Sequence, residues 1–220
     1  MKRLFVAAFA LGMIAPAFAG PFEDGASAYG AGDFAKAASA WRALAESGDL
    51  RGQFNLGILH DLGKGVAADR AEAVKWYRLA AAQGDAIAAF NLGLIYSTGD
   101  GAPKSPEDGV RFYRQAAEKG DPLAQYNLGL IYEEGRGVAQ DYAQAAKWYE
   151  MAANKKHADA QNKLANLYAN GQGVELDLGK ASEWSEKSSE TAMFGESNTS
   201  CTTQRSAQNL ESCRRVVPRM

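Results

Sequence analysis

The chain has 220 residues, 46% of them hydrophobic, with 24 basic and 26 acidic side chains and a net charge of −2. That apolar share is normal for a folded protein, and the slight acidity excludes a nucleic-acid binder, which needs a concentrated basic face. Two histidines and two cysteines leave little material for metal or nucleophilic chemistry.

The first element is an export leader. Lys2 and Arg3 precede an apolar run from Leu4 to Ile14, and Ala17-Phe18-Ala19 has the small-x-small form that a signal peptidase accepts. A membrane span needs roughly 20 apolar residues, and Pro16 ends this run early. Residues 1–19 are therefore expected to be a cleaved signal peptide of bacterial type, with Gly20 opening the mature chain in the periplasm or outside the cell. Loss of Lys2 and Arg3 leaves 22 basic against 26 acidic residues, a net charge of −4. No transmembrane segment is expected in the mature chain.

Residues 22–48 carry Ala28-Tyr29, Gly32-Asp33-Phe34, Ala37 and Trp41, the spacing of one helical hairpin. A 36-residue period follows. Phe54 to Gly57 reads Phe-Asn-Leu-Gly, and the same four residues return at Phe90 to Gly93 and, with tyrosine first, at Tyr126 to Gly129. An aromatic pair trails each copy, at Trp76-Tyr77, Phe112-Tyr113 and Trp148-Tyr149, and Trp184 closes a fourth, decayed copy. A fixed period in the range of about 20 to 50 residues marks a stack of supersecondary units, each touching only its neighbours. The units are 49–84, 85–120, 121–156 and 157–190.

Within a unit, apolar spacing predicts two helices. Arg51, Phe54, Asn55, Ile58 and Leu62 fall on one stripe of the first helix, and Leu56, Gly57, Leu59 and His60 largely on another, so one face is expected to pack and the other to line a surface. Glycine pairs at 63/65, 99/101, 135/137 and 171/173 stop this helix, since glycine accepts the positive φ of a C-terminal cap. They are not a dinucleotide fingerprint, because they follow helices and lack a βαβ context. Asp69, Ser105, Asp141 and Asp177 read as N-caps of the second helix, with Glu72, Asp108 and Gln144 as capping-box or near-capping-box partners. Pro106 suits the first helical position. Ala73, Gly109, Ala145 and Ala181 allow close helix approach, and Trp76, Phe112, Trp148 and Trp184 are expected to fill the core between hairpins rather than to hold a cofactor.

The recurring asparagine-leucine-glycine, the glycine pair and the small-x-x-aromatic-aromatic motif together make the unit resemble the Sel-1-like repeat, a 36-residue relative of the tetratricopeptide repeat. The resemblance covers about residues 49 to 188, and residues 22–48 look like a tetratricopeptide-type capping hairpin. It implies an all-α, right-handed α-solenoid of about five stacked helix-turn-helix hairpins, and an adaptor or scaffold role. Unit two departs from the pattern with Ala102 and with Lys104-Ser105-Pro106. Unit four departs with Lys163, Ala165 and Ser188-Ser189, and reads as the polar end of the stack.

By analogy with tetratricopeptide domains, the first helices line a concave groove. Arg51, Asn55, Asn91, Asn127 and Lys163 then offer amides and cations suited to an extended peptide ending in a carboxylate, and Phe54, Phe90 and Tyr126 form an adjoining ladder. The competing reading is that each asparagine ties its own hairpin to the next unit. Both readings stand at this point.

His60 occupies the slot of Tyr96, Tyr132 and Tyr168, and His157 that of Asp49, Asp85 and Asp121, so both read as substitutions within the repeat. No catalytic residue, metal site or cofactor is expected. Cysteine-rich relatives of the family are linked to β-lactam binding or hydrolysis, which keeps an enzyme acting on β-lactam or peptidoglycan material as the alternative; those relatives carry a cysteine pair in every repeat, and this chain does not. Cys201 and Cys213 lie in a polar tail, 191–220, and are expected to pair as a disulfide in an oxidising compartment. The sequence thus points to a monomeric, non-enzymatic adaptor or regulator of the bacterial envelope that binds a protein or peptide partner.

Overall fold

A computed structural model describes residues 20–194, and within them every regular element is a helix. The capping hairpin is α1 (Pro21–Gly30) and α2 (Phe34–Glu46). Unit one is α3 (Leu50–Leu62) and α4 (Arg70–Ala82), and unit two is α5 (Ala86–Thr98) and α6 (Pro106–Glu118). Unit three is α7 (Pro122–Glu134) and α8 (Tyr142–Ala153), and unit four is α9 (Ala158–Asn170) and α10 (Leu178–Phe194). Each helix packs chiefly on the one before and the one after it, the arrangement of an α-solenoid. The last helix continues to Phe194, four residues past the end expected for unit four.

Capping sets the frame. Asp69, Ser105, Asp141 and Asp177 accept hydrogen bonds from the first-turn amides of Glu72, Asp108, Gln144 and Lys180. The reciprocal half of a capping box is replaced by a relay. The amides of these four caps donate to the carbonyls of His60, Tyr96, Tyr132 and Tyr168, at 2.8–3.0 Å, so each second helix starts by locking onto the end of the first. Glu72 and Asp108 are left to pair along the helix with Lys75 and Arg111.

Gly63, Gly99, Gly135 and Gly171 end the first helices in the left-handed region. The second glycine of each pair has a further duty. A Cβ on Gly65, Gly101, Gly137 or Gly173 would lie 2.1–2.9 Å from Phe34, Arg70, Pro106 or Tyr142, the first residue of the preceding second helix. The loop of one unit therefore sits on the backbone of the unit before it.

Two expectations are corrected by the packing. The first helices of units one to three do not divide into a packed face and an open face, and only α9 of unit four does, with Asn162, Asn166 and Asn170 exposed. Gly52 to Asp61 of α3 and Ala88 to Tyr96 of α5 are buried on every side, because each such helix is enclosed by its own second helix and by that of the preceding unit. The tyrosine, not the tryptophan, fills the core. Tyr77, Tyr113 and Tyr149 are fully buried, whereas Trp76, Trp148 and Trp184 are half-buried and Phe112 alone of that slot is buried. Each tyrosine ring covers Gly57, Gly93 or Gly129, where a Cβ would come within 2.3–2.8 Å of it, and meets the ring of Phe54, Phe90 or Tyr126 at 5.6–6.1 Å. The glycine of the recurring motif is thus the seat of the tyrosine 20 residues later.

Candidate partner-binding surface

The row expected to line a groove is mostly interior. Phe54, Asn55, Phe90 and Asn91 are fully enclosed, and Asn127 and Tyr126 are 1% and 5% exposed. The phenylalanine and tyrosine ladder faces the core tyrosines, so in this packing it has no surface to offer an apolar side chain. Asn127 donates to the carbonyl of Leu123 one turn back, an internal use of the amide. Of the two readings of the asparagines, burial favours the structural one.

The two cations at the ends of the row are also engaged. Arg51 lies over the Phe22 ring at 4.0 Å and 3.8 Å from carboxylate oxygens of Glu23 and Asp49, which ties unit one to the capping hairpin. Lys163 lies 3.0 Å from both oxygens of Glu133. Glu133 also accepts the hydroxyl of Tyr149, whose ionisation is pushed far up, first by burial and then by this carboxylate. Lys163, standing in the asparagine slot of unit four, is thereby a bridge to unit three.

The histidines keep to their slots. His157 takes the cap position that Asp49, Asp85 and Asp121 hold in the other units, and its Nδ1 accepts from the Ala160 amide at 3.3 Å. Its ring stacks on Tyr126 at 4.6 Å, and burial lowers its proton affinity. The ring of His60 is buried in the tyrosine slot. No group of three or more potential metal ligands occurs among the described residues. Cys201 and Cys213 lie outside the described residues, as do residues 1–19, where a leader is expected. No helix among the described residues is long and apolar enough to cross a membrane.

Repeat reasoning missed a set of ties between units. Gln53, Gln125 and Gln161 each donate to a carbonyl of the preceding second helix, those of Ala45, Ala117 and Ala153, at 3.0–3.3 Å. Gln83 donates to the carbonyl of Gly48 and Lys155 to that of Gly120, one repeat back in each case. The available signal was the shared repeat slot: Gln125 and Gln161 are 36 residues apart, and Gln53 lies two periods before Gln125. Also missed is a cavity of about 330 Å³ between units two and three, lined by Ser97, Lys104, Pro106, Ile131, Arg136 and Gly137. Its signal was the departure at Lys104-Ser105-Pro106.

Most side chains of the recurring motif thus point inward, and several outward slots change from unit to unit, although Lys75, Arg111 and Lys147 keep a cation at one exposed slot. The exposed loop slot before the second helix holds Ala68, Lys104, Gln140 and Leu176 in turn.

Comparison with known proteins agrees with this architecture. The Sel1 repeat matches residues 50–85, 86–121, 122–157 and 158–190. Among solved structures, c5321, described as a protective antigen of uropathogenic Escherichia coli with an SLR fold, is 35% identical with a TM-score of 0.73. The match covers 78% of this chain and 38% of that one, so this chain spans well under half of its length. A Sel1 repeat protein from Oxalobacter formigenes is 34% identical over 78% of this chain and 74% of its own, with a TM-score of 0.72. No curated protein matches the chain. With four consecutive repeats matched over most of its length, the chain belongs to the Sel1 repeat family, whose members are generally non-enzymatic scaffolds for protein interaction.

Proposed function

We propose that this protein is an exported, monomeric, non-enzymatic scaffold of the bacterial cell envelope that holds a segment of a partner protein along its stacked units. The carrying observation is a division of labour: the recurring buried residues hold the stack together, while the exposed loop slot holding Ala68, Lys104, Gln140 and Leu176 differs in every unit, as a surface specific for one partner requires. With Phe54, Asn55, Phe90, Asn91, Tyr126 and Asn127 buried, this reading assigns the contact to the exposed loop positions and helix ends around that row. The leader expected at residues 1–19 supports export, and the expected Cys201–Cys213 disulfide suits an oxidising compartment.

The test is affinity capture from periplasmic extract with the mature chain as bait, beside a Lys104→Ala, Gln140→Ala, Leu176→Ala variant that repeats the Ala68 of unit one. Both baits are first checked for equal helical circular dichroism. A partner held by the wild type and lost by the variant supports the reading, and absence of any partner overturns it. Mass spectrometry of the exported protein is expected to show Gly20 as its first residue and a non-alkylated Cys201–Cys213 pair. Turnover of nitrocefin or peptidoglycan that survives further purification would overturn the non-enzymatic assignment.

A further inference from the structure

The cavity between units two and three has a cause that can be read by stepping 36 residues to either side. At the junction of units one and two, the slot of Pro106 holds Arg70, whose guanidinium lies 3.5 Å from Asp61 and 2.6 Å from Asp100. At the junction of units three and four the same slot holds Tyr142, which packs against the neighbouring core and accepts from Gln140. Pro106 is too short to do either. Ser97 in place of Asp61, and of Glu133 in unit three, removes further volume, and Ile131 supplies an apolar wall.

The walls of this space are chemically mixed. Lys104 is exposed at its rim and makes no ion pair or hydrogen bond among the described residues. Arg136 adds a second cation, paired through Nε with Glu134. The Ser97 hydroxyl is half-buried in the lining. Of the carboxylates on the adjoining turn of α6, Asp108 is engaged by Ser105 and Arg111, and that contact holds it below its usual proton affinity. Glu107 is exposed beside it.

We propose that this cavity is a subsite for a glutamate side chain of the partner, a reading that rests on the scaffold function above. Its volume is at the small end of ligand pockets, about 300–1,000 Å³, so it admits a side chain dipping in from the loop side while the partner backbone stays outside. A glutamate matches both kinds of wall: its methylene stem lies against Pro106 and Ile131, and its carboxylate reaches Lys104 and the Ser97 hydroxyl, where a charge-assisted hydrogen bond is stronger than a neutral one.

The probe is acetyl-Ala-Glu-Ala-amide, titrated into the ¹⁵N-labelled mature chain and followed by amide chemical shifts, with acetyl-Ala-Gln-Ala-amide as control. Two variants accompany it. Lys104→Ala removes the cation at an exposed position, and Ser97→Asp with Pro106→Arg and Arg136→Asp copies the Asp61, Arg70 and Asp100 of the preceding junction, filling the space with a set of paired side chains this fold already accommodates. The glutamate peptide is expected to shift Ser97, Lys104 and Gly137 saturably, with an affinity about tenfold weaker in Lys104→Ala, the worth of one charge-assisted contact, and with no response in the filled variant. Equal shifts with the glutamine peptide, shifts only elsewhere, unchanged binding in the filled variant, or no response at concentrations about tenfold above a millimolar Kd would each overturn the proposal. Peptide silence with partner capture intact removes the subsite alone, whereas failure of capture removes the scaffold reading.

Discussion

Units one to three and unit four are built on one template but end in opposite ways. In unit three, the face of α8 that receives the next unit is Ala145, Ala146, Tyr149, Ala152 and Ala153, all buried. The matching face of α10 is Ala181, Ser182, Ser185, Ser188 and Ser189, exposed or half-buried. Serine at four of five slots removes the apolar surface on which a fifth unit would sit, and Ser188 turns inward to donate to the carbonyl of Ala158. The helix partner changes in step. Gly57, Gly93 and Gly129 make room for a tyrosine, and where Ser185 replaces that tyrosine, Ala165 replaces the glycine. A few coordinated substitutions on an otherwise unaltered hairpin thus leave the outer face of unit four polar among the described residues.

The largest break in this comparison comes from the tyrosine slot. Tyr113→Ala is expected to cost about 3–5 kcal/mol, the usual loss for emptying a buried aromatic site, while Ser185→Ala should stay within about 0.5 kcal/mol because the position is exposed. Urea unfolding followed by circular dichroism measures both, and equal losses would refute the division between interior and terminal units.

The seat of the tyrosine comes next. Gly129→Ala adds a methyl group 2.3 Å from the Tyr149 ring and should destabilise by about 1–3 kcal/mol, despite alanine's better helix propensity. The reverse change in unit four, Ala165→Gly, should cost only the backbone entropy, about 0.5–1 kcal/mol.

Caps give a smaller contrast. Asp85 is buried and accepts from the amides of Ile87 and Ala88, so Asp85→Ala should approach the upper figure of about 2 kcal/mol for a lost cap. Asp177, at the open end, should give about 0.5 kcal/mol.

The smallest effect separates His157 from its aspartate counterparts. Burial lowers its proton affinity in the folded chain, so the unfolded chain binds the proton more readily. Stability is therefore full above the ordinary imidazole range and falls as pH drops through it. Protonation at Nδ1 would also remove the acceptor for Ala160 and place a positive charge at a helix N-terminus. Tm measured between about pH 7.5 and 5.5 should decline more in the wild type than in His157→Asp, since aspartate does not titrate there. Parallel curves would refute the assignment.

Much of this was legible in the chain. The period, the hairpin count, the glycine stops and the caps at Asp69, Ser105, Asp141 and Asp177 depend on local backbone geometry, which acts over a few residues and leaves a direct trace in composition. The surface was read less well. Phe54 and Asn55 recur as a ligand-binding row would, but a residue that serves every junction of a stack recurs for the same reason, and periodicity does not separate the two. Lys163 looked like a free cation because its partner, Glu133, lies 30 residues away on another unit.

The sequence alone determined that the chain is a stack of 36-residue helical hairpins, because repetition and capping are properties of neighbouring residues. The tertiary structure decided which side of each helix meets solvent, that within the four repeats tyrosine rather than tryptophan fills the core, and that a cavity opens at Pro106. Those outcomes depend on what the adjacent unit places in the same space. Close packing lets one short side chain there change the shape of the surface.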